Sequence, residues 1–265
     1  MKNKFFGFIQ SAGVIILLCF IVAEIIYTFV FGNPANFMDG DPANAPMPGN
    51  LLGTIHKGGF IVPIILTLLL TVLTISVERF FTIRRAKGKG DLTSFITKIK
   101  ASLAKGDIKE ANQLCAKQGG TVANVVKSAL MKYEQMEHED SLTKDQKMSN
   151  IQQQVEEATA LELPILEQNL VVVATITTLG TLMGLLGTVI GMIRSFASLA
   201  TAGGTDSVAL STGISEALVN TAFGIATGAL AVISYNYFTS KIDKITFCID
   251  EVGYTLVQTY ASSHK

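Results

Sequence analysis

The chain has 265 residues, of which 49% are hydrophobic and 16% are charged. This balance is too apolar for an ordinary soluble domain, in which about 25% of the residues are charged. Lys and Arg together number 21, as do Asp and Glu, so there is no basic excess to bind a phosphate backbone. The composition favours a membrane protein and disfavours nucleic acid as a partner.

The three cysteines and the three histidines are scattered along the chain. They form none of the close pairs that metal sites, disulfide frameworks or redox motifs use. The sequence also contains no nucleophile motif and no phosphate-binding loop. We therefore expect a protein that is not an enzyme, with no catalytic residue, no cofactor and no metal site.

Four stretches are long and apolar enough to cross about 30 Å of hydrocarbon, which takes about 20 helical residues. They are residues 5–31, 58–77, 168–193 and 212–238. The first stretch is longer than the core of a signal peptide, and no small-residue cleavage site follows it closely. We interpret it as a retained signal anchor.

Basic residues gather at one set of span ends, and such residues resist transfer across a membrane. Two lysines precede the first span, five basic residues lie within 79–89, and two lysines lie within 241–244. The loops 32–57 and 195–211 contain almost none. The pattern predicts a multi-pass protein with cytoplasmic N- and C-termini and a cytoplasmic segment 82–167.

Residues 91–167 have the pattern of helices rather than of an enzyme domain. Apolar residues recur at helical spacing in three short segments, which are separated by a turn at 106–107 and a break at 119–120. A longer helix is expected from about Lys147 into the third span, with a kink at Pro164. The sequence thus predicts an all-α fold in which long transmembrane helices extend into a cytoplasmic helical region.

These segments divide the chain into five parts. The first part is the signal-anchor span with its outer loop, and the second is the span that follows it. A cytoplasmic helical region comes next, followed by a pore-forming pair of spans and a cytoplasmic C-terminal tail. The corresponding ranges are 1–57, 58–90, 91–167, 168–240 and 241–265.

Glu216 is the intramembrane residue that most suggests function, because a carboxylate within a span usually faces a protein interior or water. At about 100° per residue, one sector of its helix collects polar and small side chains, and the third span has a similar hydroxyl-lined face. Counting from the span ends places Thr188 at a depth similar to that of Glu216 and Thr221 about 7 Å deeper. The predicted proton pathway comprises Glu216, Thr188, Thr221, Thr181, Asn220 and Thr227.

Packing is the alternative explanation for much of this pattern. Any single Thr in a membrane helix is well explained by a hydrogen bond to its own backbone. Packing alone does not require a carboxylate, however, so the complete sector favours a water-accessible path. Glu24 lacks a comparable polar stripe, so a local hydrogen bond or a shallow, protonated position is the simpler interpretation. Three glycine pairs have the small-xxx-small spacing of helix contacts: Gly180/Gly184, Gly187/Gly191 and Gly224/Gly228. The predicted packing residues are Gly184, Gly187, Gly224 and Gly228.

Two membrane motifs resemble the paired signature of the ExbB/TolQ/MotA proton-channel family, and their wording is most similar to ExbB. The first is GLLGTVIGM at 184–192, followed by Phe196. The second is ISEAL at 214–218, followed by Thr221. Weaker matches extend the resemblance over about residues 58–245.

The resemblance implies a ring of five subunits around a pore in the bacterial inner membrane. Such a ring would hold the single transmembrane helices of an ExbD-like partner, whose membrane aspartate cycles its proton. The complex would use proton motive force to energise a TonB-like protein for outer-membrane transport. By position, Glu216, Thr188 and Thr221 match the polar pore residues of the family.

Alternative functions remain open at this point. ExbB proteins commonly have three spans and an external N-terminus, so four spans favour a MotA-like subunit, whereas the motif wording favours ExbB or TolQ. A stand-alone secondary transporter and a membrane scaffold are further alternatives. The transporter is disfavoured because the sequence offers no broken-helix pair or rich set of ligands for a bulky solute.

Overall fold

The computed structural model describes residues 12–201 and 207–263, without the side chains of 198, 199, 201 and 207–209. Within these residues the regular structure is helical, apart from one isolated β-bridge between Phe37 and Pro46. The all-α prediction is confirmed. The start of the predicted first span, with its two preceding lysines, lies outside the described residues.

Nine α-helices are described, and four helical stretches are long and apolar enough to cross a membrane. Those stretches are Ala12–Phe31, Ile61–Ala86, Lys144–Ala197 and Leu210–Ser263, in agreement with the four spans predicted. The helices are α1 (Ala12–Ile25, extended by a π-helical turn Ile26–Phe31), α2 (Leu51–His56), α3 (Ile61–Ala86), α4 (Leu92–Ala104), α5 (Ile108–Gln118), α6 (Gly120–Glu137), α7 (Lys144–Glu167), α8 (Leu170–Thr201) and α9 (Ser207–Ser263). Two short 3₁₀ turns, Pro34–Asn36 and Met38–Gly40, lie between α1 and α2.

The chain forms two compact units, each built from two separate segments. The first unit contains Met1–Val77 and Asn169–Tyr235, and the second contains Glu78–Gln168 and Asn236–Lys265. In the first unit, α1, α3, α8 and α9 share an apolar cluster. Its buried members are Ile15, Cys19, Val72, Ile75, Val173, Ile176 and Ala231.

In the second unit, α4, α5 and α6 are the three short helices that the sequence predicts. The turn before α5 contains Asp107, whose carboxylate caps the helix by accepting a 2.8 Å hydrogen bond from the Glu110 amide. Helix α7 begins at Lys144, three residues earlier than expected. The earlier start follows from a capping box in which Thr143 and Gln146 bond each other's backbone amides.

The predicted kink at Pro164 is wrong in position. Helix α7 continues through Pro164 to Glu167, and the chain leaves helical geometry at Gln168 (ψ 135°) and Asn169 (φ 65°). Asn is one of the few side chains that tolerates left-handed backbone geometry, so the break lies where the chain can turn at low cost. Helix α8 starts at Leu170.

The end of α7 is stabilised by a buried guanidinium. Arg79 donates to the carbonyl oxygens of Ile165 (2.9 Å) and Leu166 (3.2 Å), which belong to the last turn of α7. Its other nitrogens pair with the neighbouring Glu78 at 2.5 Å. One side chain therefore satisfies a carboxylate and a helix terminus together.

Helix α9 continues through the segment predicted as a C-terminal tail and ends at Ser263. Its last turns bury one face, and the Tyr260 hydroxyl donates a 3.1 Å hydrogen bond to the Met136 carbonyl. Tyr260 also packs edge-on against Tyr133, with 4.9 Å between ring centroids. The buried side chains of this face include Ile242, Ile245, Ile249, Val252, Leu256 and Tyr260.

Candidate functional site

Helices α8 and α9 approach each other backbone to backbone within the first unit. A Cβ atom added to Gly224 would lie 2.6 Å from both the Gly180 carbonyl oxygen and the Gly184 Cα. At Gly187 it would lie 2.8 Å from Asn220 Cγ, and at Gly228 it would lie 2.8 Å from the Thr177 carbonyl oxygen. The four glycines expected to serve packing therefore lie at contacts between two helices of the same chain.

These contacts give a register that differs from the one predicted by counting from the span ends. Gly184 lies opposite Gly224, so Thr188 lies level with Thr221 rather than with Glu216. The error is about one helical turn, or roughly 6 Å. It arises because α8 extends eight residues past the predicted span end at 193, whereas α9 begins only five residues before the predicted start at 212.

Thr188 and Thr221 form a hydrogen-bonded hydroxyl pair at this level. Thr188 Oγ1 also lies 3.2 Å from the Gly184 carbonyl oxygen, and Thr221 Oγ1 lies 3.2 Å from that of Ala217. Each hydroxyl has one hydrogen to donate. One of the two hydroxyls therefore donates to the other, and the hydroxyl that accepts this bond donates its own hydrogen to a carbonyl of its own helix. Both side chains are partly exposed, so the pair is a reorientable polar contact that is not sealed within the chain.

Glu216 is paired with Arg194, which lies outside the predicted proton pathway. Arg194 Nη1 lies 2.8 Å from Glu216 Oε1, and the guanidinium lies 5.9 Å from the ring centroid of Phe60. Gly59 has φ 71° and borders the carboxylate so closely that an added Cβ would lie 2.5 Å from Oε1. The sequence contained a signal for this pair. A single basic residue, Arg194, follows the third predicted span directly, and a single acidic residue, Glu216, lies near the start of the fourth.

Asn220 and Thr227 make their hydrogen bonds to backbone carbonyls and not to the hydroxyl pair. Asn220 is buried and donates a 2.9 Å hydrogen bond to the Gly58 carbonyl, while its Oδ1 has no partner among the described residues. Thr227 is buried and donates to the Phe223 carbonyl at 2.8 Å. Thr181 is exposed and lies 3.4 Å from the Thr177 carbonyl. The six predicted residues therefore do not form one continuous chain of hydrogen bonds.

A histidine lies close in sequence to this site, in the segment between α1 and α3. The His56 ring stacks on Tyr27 at 4.5 Å and meets Phe37 edge-on at 5.4 Å between centroids. Burial lowers the pKa of His56, and its Nδ1 atom has no hydrogen-bond partner among the described residues. The neutral imidazole is therefore the form that this packing favours.

Among the residues that the structure describes, no group of three or more His, Cys, Asp or Glu side chains is placed to hold a metal ion. The chemistry that the site offers consists of one ion pair and one hydroxyl pair. Glu216 and Thr221 are five residues apart on α9, or about 7.5 Å along the helix axis. At about 2.8 Å per hydrogen bond, one water molecule is too short to bridge this separation, and two in series would be needed.

Comparison with known proteins places this site in a family. The sequence model of the MotA/TolQ/ExbB proton channel family matches residues 120–251, which include both membrane motifs. The chain belongs to this family. The resemblance that the two motifs indicated is confirmed, and the family is one of channel and motor subunits rather than of enzymes.

Three relatives illustrate the range of the similarity. ExbB-like protein 3 of Synechocystis sp. is 40% identical over 88 residues, which are 32% of this chain and 42% of the relative. The Tol-Pal system protein TolQ of Pseudomonas aeruginosa is 28% identical over 124 residues, or 47% and 54% of the two chains. An ExbB homologue of Methanothermobacter thermautotrophicus is 24% identical over 196 residues, or 74% and 65%. The chain thus spans about half the length of the curated relatives it matches.

Proposed function

We propose that the chain is a proton-channel subunit of a bacterial inner-membrane motor. It would work with an ExbD-like single-span protein, use proton motive force, and energise a TonB-like protein for outer-membrane transport. Relatives named as ExbB and TolQ proteins support a motor subunit of this general kind. The N- and C-termini would both be cytoplasmic, as the distribution of basic residues indicates.

The observation that carries the proposal is the hydroxyl pair between Thr188 and Thr221, with the Glu216 carboxylate on the same helix. Packing is already provided by the glycines of α8 and α9, so the polar groups are not needed for close approach. Partly exposed hydroxyls and a carboxylate can order water and accept or pass a proton. Their chemistry suits a small cation better than a bulky solute.

We further propose that the chain forms a homopentamer around these faces. The sides of α8 and α9 that remain exposed are largely apolar, and they can contact lipid or further copies of the chain. A closed ring would repeat the hydroxyl pair around one axis and enclose the partner's helix. Exposed apolar residues of these sides include Leu185, Val189, Ile193, Leu218, Ile225 and Ile233.

TolQ-like function is the second candidate, because the TolQ protein of Pseudomonas aeruginosa is among the relatives that this chain matches. It shares the same proton chemistry and differs in the protein that is energised. Deletion of the gene would separate the two possibilities. Loss of TonB-dependent solute uptake supports the ExbB role, whereas an outer-membrane integrity defect with normal uptake supports the TolQ role.

Proton flux in proteoliposomes that contain the complex tests the shared function. We expect the double variant Thr188→Val/Thr221→Val to lower flux by about tenfold, a modest part of the range that proton-transfer groups contribute. Each single variant should have a weaker effect, because water can replace one hydroxyl. Thr175→Val is the matched control, since Thr175 is an exposed hydroxyl on α8 that donates to its own helix at Val171. Undiminished flux in a correctly assembled double variant would refute the proton pathway.

A further inference from the structure

A cavity of about 310 Å³ lies in the second unit, enclosed by the end of α3, the start of α4 and the middle of α9. Four basic side chains line it: Arg84, Lys87, Lys241 and Lys244. The channel function proposed above uses none of these residues. The cavity is at the lower end of the size range of small-ligand sites in proteins.

The positive charge of this cavity is poorly compensated. Asp91 is the only carboxylate in its lining, and it caps α4 by accepting a 3.0 Å hydrogen bond from the Ser94 amide. None of the four basic side chains forms a salt bridge with a carboxylate in the described part of the chain. Four cations facing one carboxylate favour an anionic ligand.

The cavity also has the aromatic and apolar surface of a membrane boundary. Phe80 and Tyr237 line it with exposed rings, and Lys241 Nζ lies 5.4 Å from the ring centroid of Tyr237. Buried Ile83 and Ile245 form an apolar part of the wall. Rings of this kind are enriched where membrane helices meet the headgroup layer, and basic pockets between such helices bind anionic headgroups.

We propose that this cavity binds an anionic phospholipid, with the headgroup phosphate held by Arg84, Lys87, Lys241 and Lys244. The acyl chains lie along the exposed rings of Phe80 and Tyr237. A free phosphate ion would satisfy the charge but would leave this apolar surface uncovered. The proposal rests on the cavity alone and is independent of proton conduction.

Native mass spectrometry of the intact complex, with lipid added in increasing amounts, measures this binding directly. The probes are phosphatidylglycerol and phosphatidylcholine with the same acyl chains. Each basic side chain near an anionic lipid surface contributes about 1 kcal/mol, so we expect Arg84→Gln/Lys241→Gln to weaken phosphatidylglycerol binding by about thirtyfold. Phosphatidylcholine binding should be weaker in the unmodified protein and should change little in the variant.

The matched control is Arg85→Gln/Lys89→Gln, which removes two positive charges, one in the last turn of α3 and one three residues after it, from outside the cavity lining. We expect this variant to bind phosphatidylglycerol as the unmodified protein does. An equal loss in both double variants would show a general charge effect and overturn the site. Equal binding of the two lipids, or displacement of phosphatidylglycerol by millimolar inorganic phosphate, would also overturn it.

Discussion

Arg194 and Glu216 form an ion pair across the two helices of the candidate site, with 2.8 Å between Nη1 and Oε1. The carboxylate is largely buried, whereas 51% of the Arg194 side chain is exposed. Any partner helix that contacts Glu216 must therefore compete with a guanidinium already in place. This relationship makes Arg194 a candidate positioning residue for the carboxylate.

A double-mutant cycle of Arg194→Gln and Glu216→Gln tests whether the two residues act as a unit. Because Arg194 is half exposed, we expect a coupling of only about 1 kcal/mol in the free energy of unfolding. Proton flux should be lowered to a similar level in both single variants and the double variant, since each breaks the same pair. Arg194→Lys should retain part of the flux. If the flux in the double variant fell by the product of the two single-variant factors, the two residues would act separately.

The close approach at Gly224 predicts that even a methyl group there destabilises the fold. Gly224→Ala would force α8 and α9 apart, at a cost of about 1–3 kcal/mol in the free energy of unfolding. Gly13→Ala is the control, because an added Cβ on α1 would meet no atom within 4 Å. Thermal unfolding followed by circular dichroism in detergent should show a lower Tm for Gly224→Ala only. Equal Tm values would indicate that the backbones can separate without cost.

The lowered pKa of His56 predicts a pH-dependent segment between α1 and α3. An unfolded histidine takes up a proton near pH 6.5, whereas the buried ring resists protonation until a lower pH. The contribution of the neutral His56 ring to the stability of this segment is therefore fully present above about pH 6.5, and it decreases as the pH falls below that value. Hydrogen exchange, corrected for intrinsic rates, should show less protection of residues 33–57 at pH 5.5 than at pH 7.5. His56→Phe keeps a ring against Tyr27 without titrating, and it should remove this difference.

The predicted orientation is accessible to cysteine labelling. The native cysteines are buried, and burial raises the pKa of the Cys115 thiol to about 12, so this thiol should stay unreactive near neutral pH. Cysteines introduced at the exposed positions Asn44 and Lys105 provide the two reporters. An impermeant maleimide added outside spheroplasts should label Asn44→Cys and not Lys105→Cys. The reverse pattern would invert the topology.

Hydropathy and turn chemistry were sufficient to predict the helices, but not how two of them align. The break before α6 is visible as Gly119 and Gly120, and the four apolar stretches appear at the expected places. The α8–α9 register was missed because the ends of both helices that flank residues 202–206 are rich in small and polar residues. Composition does not mark where such helices stop. A one-turn error then separated Thr188 from its partner, Thr221, and concealed the approach of Arg194 to Glu216.

The contacts of Arg79 predict a position that tolerates little change. Its side chain is 1% exposed and bonds two carbonyl oxygens and a carboxylate through separate nitrogens. A lysine has one nitrogen on a flexible stem and could not serve both groups in this geometry. In a saturation mutagenesis experiment, position 79 should therefore reject even lysine, while the neighbouring exposed Phe80 should accept other apolar side chains. Selection for folding alone would then be sufficient to preserve Arg79.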